Sequence, residues 1–104
     1  MSSENLYELF SSDPVEYNMN ALKAKLAIAL VALVDNKEWN QTTAAEKLQI
    51  SQPRMSNLVR GKLDKFSIDA ILKMMVRVGY KLDTTFDPTD LQNPLSIDVK
   101  RAML

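Results

Sequence analysis

The sequence predicts a mainly α-helical bundle of four to five helices, followed by a short C-terminal strand that pairs in a dimer. Three observations carry this expectation. Residues 40–61 divide into two short helix-forming stretches around a three-residue turn. On either side, apolar residues recur at three- and four-residue intervals, the period of a helix with one buried face. Only at residues 80–86 does the pattern change to alternation, the period of a strand.

Along the chain, Asn5-Leu-Tyr-Glu-Leu-Phe10 has the length of one or two helical turns, and Ser11-Ser12-Asp13-Pro14 reads as a break. A helix is expected from about residue 18 to residue 35, with Leu22, Leu26, Leu30 and Leu33 along one face and Asn36-Lys37 ending it. Its longest apolar run, residues 26–34, is nine residues, against the roughly 17–25 needed to span a bilayer. A core helix is therefore expected, with no membrane association. Lys23 and Lys25 precede that run, but acidic residues come before them and no small-residue cleavage site follows, so a secretory leader is not expected either. Trp39 stands where a large ring can cover the junction of three helices.

Asn40 is a good N-cap for the next helix, which runs through Leu48 with Ala45 and Leu48 inward. Ala45 must be small because a neighbouring helix crosses steeply there. Gln49-Ile50-Ser51 then makes the turn. Ser51 caps the following helix, Pro53 falls in its first turn where N–H groups lack partners, Ile50 can staple onto Met55, and Gly61 ends it. After residues 62–66, Ser67 caps a helix over residues 68–78, with Phe66 placed to staple onto Ile71. Ile71, Leu72, Met75 and Val78 are its expected inward residues, Met55, Met74 and Met75 are expected core fillers, and Gly79 stops the helix.

In the alternating stretch, Tyr80, Leu82, Thr84 and Phe86 share one side, and Lys81, Asp83 and Thr85 share the other. A lone strand leaves its N–H and C=O groups without a ladder, so the expected partner is the same strand of a second copy. Residues 88–104 contain Pro88 and Pro94 and end in an expected weak helical tail from Ser96 to Leu104. This divides the chain into an acidic arm (residues 1–17), a helical domain (18–79), a dimerisation strand (80–87) and a tail (88–104).

The chain has 104 residues, 46% of them apolar, enough for one compact core with little margin. Cysteine and histidine are both absent. That excludes disulfides, thiolate metal sites, cysteine nucleophiles and imidazole bases, and fits a reducing cytoplasm. No paired acid and base and no glycine-rich phosphate loop can be found, so neither catalysis nor a cofactor nor a metal is expected.

Formal net charge is zero, yet the charges are sorted. Residues 1–18 carry Glu4, Glu8, Asp13 and Glu16 without a basic residue, and residues 83–98 carry Asp83, Asp87, Asp90 and Asp98, again unopposed. Residues 37–81 hold nine basic and four acidic side chains, and Lys47, Arg54, Arg60 and Lys62 lie in a stretch with no acid. A phosphate responds to the field within about a Debye length, so the neutral total does not argue against nucleic-acid binding.

With Ile50, Met55 and Leu58 inward, Gln52, Arg54, Ser56, Asn57 and Arg60 remain on or near the outer face of the second short helix. A guanidinium suits guanine O6 and N7, an amide suits adenine N6 and N7, and the helix N-terminus, with Ser51 and Pro53, favours a phosphate. Arg54 and Gln52 are the leading candidates for base contact. Gln41 is a candidate for a phosphate, and Lys47, Arg60, Lys62 and Lys65 are more generic phosphate candidates, as are Thr43 and Asn57. The plain alternative for all of them is a solvated helix face. Trp39, Phe66 and Tyr80 are expected to be buried rather than to stack on bases.

At this point the chain resembles the lambda-repressor-like, or XRE-type, helix-turn-helix family. The matching positions are Gln41, Ala45, Ile50, Ser51-Gln52, Met55 and Leu58. One subgroup is similar over roughly residues 5–86, through Asn5–Phe10 with Asp13-Pro14, the long Ala/Leu-rich helix, and Leu63-Asp-Lys-Phe-Ser-Ile-Asp69. Its most specific pieces are Ser51-Gln-Pro-Arg54 and Asp64-Lys-Phe-Ser67. Gln49 departs from the family, which usually has glycine in the turn, and a left-handed Gln49 would cost on the order of 1 kcal/mol.

The resemblance implies a sequence-specific repressor of double-stranded DNA, bound as a homodimer to a pseudo-palindromic operator, with Gln41 bracing Gln52. Members of the subgroup are often antitoxins encoded beside ribosome-dependent RNase toxins, so it also implies a cognate toxin and repression of its own operon. Two rivals remain: a phage or mobile-element repressor without a toxin, and a helix-turn-helix used only for protein interaction.

Overall fold

The computed structural model describes residues 13–102, in the order α1 (Pro14–Asp35), α2 (Gln41–Leu48), α3 (Gln52–Val59), α4 (Ile68–Arg77), β1 (Tyr80–Phe86) and β2 (Leu95–Arg101). Residues 5–10, with the helical turn expected there, and residues 103–104 lie outside the described residues.

The α1 helix starts four residues earlier than expected. Asp13 is an extended N-cap whose carboxylate accepts from the Val15 and Glu16 N–H groups at 3.0 and 3.2 Å, and Pro14 occupies the first helical position. What looked like a break is a start signal, since proline fits where no N–H partner exists. By length and composition α1 is apolar enough to cross a bilayer. Its Ala27, Leu30 and Val34 instead form one wall of the core, with Leu26 and Val31 packed at the margin.

The rest of the core comes from Ala44, Ala45 and Leu48 of α2, Met55 and Leu58 of α3, Phe66 of the α3–α4 loop, and Ile71, Met74, Met75 and Val78 of α4 and its cap. Trp39, Ile50, Leu63, Leu72 and Tyr80 pack around it. Ala44 and Ala45 are 1% and 2% exposed, so their small size sets how closely α2 nests among its neighbours. Among the described residues no polar or charged residue is buried, which leaves packing to hold the bundle and polar groups to mark its helix ends. Ser67 caps α4, its Oγ accepting from the Ala70 N–H at 3.2 Å, and Phe66 and Ile71 are both buried across that cap.

Two expectations fail beyond α4. Residues 95–101 form a strand, where a weak helical tail was expected. The reason is in the residues: Leu95, Ile97 and Val99 alternate with Ser96, Asp98 and Lys100, and β-branched side chains favour the pleated backbone. Consequently β1 finds its ladder within the chain. It pairs antiparallel with β2 in the register Tyr80↔Arg101, Leu82↔Val99, Thr84↔Ile97 and Phe86↔Leu95, where a second copy was expected to supply the partner.

The loop closing this hairpin is held by two aspartates. The Asp87 carboxylate accepts from the Thr89 N–H and hydroxyl at 3.0 and 2.6 Å, and Asp90 accepts from the Gln92 and Asn93 N–H groups. The hairpin joins the helices at its base, where the Ala102 N–H donates to the Gly79 carbonyl at 2.8 Å and Tyr80 packs on the core.

Candidate nucleic-acid interface

The turn between α2 and α3 is built as the residue types dictate. Asn40 caps α2, its Oδ1 accepting from the Thr43 N–H at 2.8 Å. At the other end Gln49 takes the left-handed conformation, φ 59° and ψ 45°, and the Ile50 N–H returns to the Ala45 carbonyl at 3.0 Å. This closure satisfies carbonyls that the end of a helix would leave open. Ser51 Oγ then accepts from the Arg54 N–H at 3.3 Å, which opens α3. Gly61, at φ 74°, ends the segment, and the Lys62 N–H closes onto the Asn57 carbonyl at 2.8 Å.

Burial of Met55 and Leu58 rotates the rest of α3 outward. Ser51, Gln52, Pro53, Arg60 and Lys62 are exposed, and Arg54, Ser56 and Asn57 are half-buried. Gln41 is exposed at the start of α2, with Thr43 half-buried two residues along. The expected brace between Gln41 and Gln52 is not among the hydrogen bonds of the described residues, and Gln52 stands free at the leading end of α3. No acidic residue lies on α3 or in its turn, so its outer face presents only neutral and cationic groups.

Arg54 is held differently from a free base-reading side chain. Its guanidinium lies 4.4 Å from the centre of the Phe66 ring, and Nη1 donates to the Lys65 carbonyl at 3.5 Å. The stack lids an otherwise buried ring and aims the cation along the α3–α4 loop. Lys47 lies 5.9 Å from the Trp39 ring, again over an aromatic face. Lys65 is exposed beside the Arg54 contact.

Two cations missed at the level of sequence support the same region from outside it. Arg77 of α4 donates from Nη1 to the Leu48 carbonyl at 3.1 Å, at the residue before left-handed Gln49. Lys23 of α1 donates to the Leu63 carbonyl at 3.2 Å. Their partners are 29 and 40 residues away, and no local pattern signals them. A polar groove of about 430 Å³ runs between the turn and α4, bordered by Gln49, Ser51, Arg54, Lys73 and Arg77. Asp69 is its one acid, and the Ser67 hydroxyl, with Lys73 at 3.6 Å, holds that carboxyl below its ordinary range.

A helix-turn-helix domain family matches residues 9–85. A solved structure described as an XRE-family transcriptional regulator superposes with a TM-score of 0.60 at 28% identity, covering 69% of this chain and 83% of that one. No curated protein sequence matches significantly.

Proposed function

Because the chain belongs to the helix-turn-helix domain family of DNA-binding transcription regulators, we propose that it is a cytoplasmic repressor that lays α3 into the major groove of its own promoter. The observation that carries this is the outer face of α3. Gln52 at its N-terminal end, with Ser56, Asn57 and Arg60 behind it, stands clear of the core on a helix anchored by Met55 and Leu58. That is where a recognition helix meets base edges. Gln52 is suited to adenine and Arg54 to guanine or to the adjoining phosphate, while Gln41, Thr43, Ser51, Pro53, Arg60 and Lys62 frame the backbone contacts. The work is binding, with no chemical step.

The chain acts in this reading as a homodimer on a pseudo-palindromic operator, with half-sites about one helical turn, roughly 34 Å, apart. It is also the antitoxin of a toxin–antitoxin module that neutralises a ribosome-dependent RNase toxin. Support for the antitoxin role comes from the two most specific pieces of the sequence resemblance, Ser51–Arg54 and Asp64–Ser67. Arg54 reaches back to Lys65 and Phe66, so the two pieces form one contact in space. A toxin that binds ribosomal RNA needs a basic surface, and the acidic ends of this chain are suited to cover one.

Two measurements test the reading. Repression of a reporter by this chain through its own promoter is expected; an unregulated reporter contradicts the repressor role and favours a protein-interaction module. Co-purification with the basic product of a co-transcribed neighbouring gene, and relief of that product's toxicity, is expected of the antitoxin. Repression without such a neighbour would make it a phage-type or mobile-element repressor.

A further inference from the structure

The β1–β2 hairpin carries its apolar side chains on one face and its charges on the other, except Arg101, which faces Tyr80 at the helix-proximal end of the apolar face. The register puts Leu82, Thr84 and Phe86 opposite Val99, Ile97 and Leu95 on one face, and Lys81, Asp83, Asp98 and Lys100 on the other. The apolar face is uncovered. Its exposure rises from 37% and 38% at Leu82 and Val99, near the helices, to 60% at Ile97 and 69% at Phe86.

The opposite face does little to hold the hairpin. Lys81 faces Lys100 and Asp83 faces Asp98, like charge against like, and a diagonal ion pair from Lys100 to Asp83 at 2.9 Å offsets this. A two-stranded hairpin is marginal in water unless its apolar face is packed.

We propose that this apolar face packs against the same face of a second copy, making a two-fold dimer from side chains while each hairpin keeps its backbone ladder to itself. This rests on the reading of the chain as a dimeric regulator. Charge selects the occupant. Arg101 is the one charged side chain on this face and stands at its base beside Tyr80; from Leu82 to Phe86, and across from them, the face is uncharged, so the outer part of two copies meets without like-charge repulsion. A basic partner such as an RNA-binding toxin would find no acid there to pair with.

The area also fits. The uncovered apolar side chains amount to on the order of 500 Å² per copy, about the size of the largest apolar patch on an ordinary monomer. Two such faces, if wholly buried, come to the roughly 1,000 Å² that is the lower limit for a specific interface. Tyr80 begins the same face and packs on the core, so the interface continues each bundle's interior toward its partner.

The chain has no cysteine, so single cysteines report the geometry without background. Packed sheets lie about 10 Å apart, beyond the roughly 7 Å reach of a direct disulfide, so a short bismaleimide is the suitable probe. The full chain carrying Ile97→Cys should cross-link to a dimer, and the Ser96→Cys chain, one residue along on the outer face, should not. Ile97→Lys should sediment as a monomer with an unchanged helical circular dichroism spectrum.

Cross-linking at both positions would mean edge-to-edge pairing, and cross-linking at neither would leave the face to another partner. Either result overturns the proposal. None of these measurements uses DNA. A cross-linked dimer that ignores its promoter counts against the regulator reading alone, and a promoter-binding chain that fails to cross-link counts against this interface alone.

Discussion

The Arg54 guanidinium lies 4.4 Å above the Phe66 ring, and this contact ties the recognition helix to the loop that leads into α4. Phe66 is 2% exposed, so removing the guanidinium uncovers a core ring as well as deleting a cation at the DNA face. Arg54→Ala should therefore lower folding stability by about 1 kcal/mol, as well as weakening DNA binding. Arg54→Lys keeps the charge but lacks the planar stack, so it should lose similar stability and less affinity. Urea midpoints measured beside DNA titrations check this; an unchanged midpoint for Arg54→Ala would mean the stack holds nothing.

Gln49 occupies a conformation that favours glycine, and Arg77 supports it by binding the Leu48 carbonyl. Gln49→Gly should stabilise the domain by about 1 kcal/mol, a rise in melting temperature of about 4–8 °C. Arg77→Ala should move it down by a similar amount, since a partly buried carbonyl loses a charged donor. Thermal melts of the two variants should shift in opposite directions; shifts of the same sign would refute this account of the turn.

The hairpin should respond to pH at its extremes. The Lys100 hydrogen bond holds the Asp83 carboxyl below its ordinary range, and the same bond raises Lys100. A lowered carboxyl contributes stability above its ordinary value, about 4, that is lost as pH falls through the lowered value. A raised ammonium contributes stability below its ordinary value, about 10.4, that is lost as pH rises through the raised value. Both groups are exposed and the effect is small. Amide protection factors along residues 80–101, with the intrinsic pH dependence of exchange divided out, should be highest between those limits, and Asp83→Asn should flatten the acid limb. Equal acid sensitivity in Asp83→Asn would assign the change to another group.

Much of the helical region was legible because its signals are local. Asn40, Ser51 and Ser67 are caps whose side chains reach N–H groups three residues on, and Gly61 ends its helix in the left-handed form. The alternation at 80–86 was legible for the same reason, and so was the shared side of Tyr80, Leu82, Thr84 and Phe86. Its ladder partner was not. Residues 95–101 alternate too, but taken together with Met103 and Leu104 the apolar Ile97 and Val99 read as a weak helical tail. Asp13-Pro14 reads as a break in the sequence because proline disfavours a helical residue before it, and the same residue fits the first position of α1. The Arg54–Phe66 and Arg77–Leu48 contacts depend on how three helices cross, and no spacing within one element encodes them.

The central claim is that α3 reads bases. Its most direct measurement is a fluorescence-anisotropy titration of the full chain against its own promoter duplex, with single-base changes, for wild type, Gln52→Ala and Lys62→Ala. Gln52→Ala should lose about 1–3 kcal/mol and relax the preference at one base position, whereas Lys62→Ala should weaken all duplexes alike and reduce the salt slope by about one. If wild type binds the promoter no better than an unrelated duplex, or if Gln52→Ala and Lys62→Ala both leave binding unchanged, α3 is not the reading element.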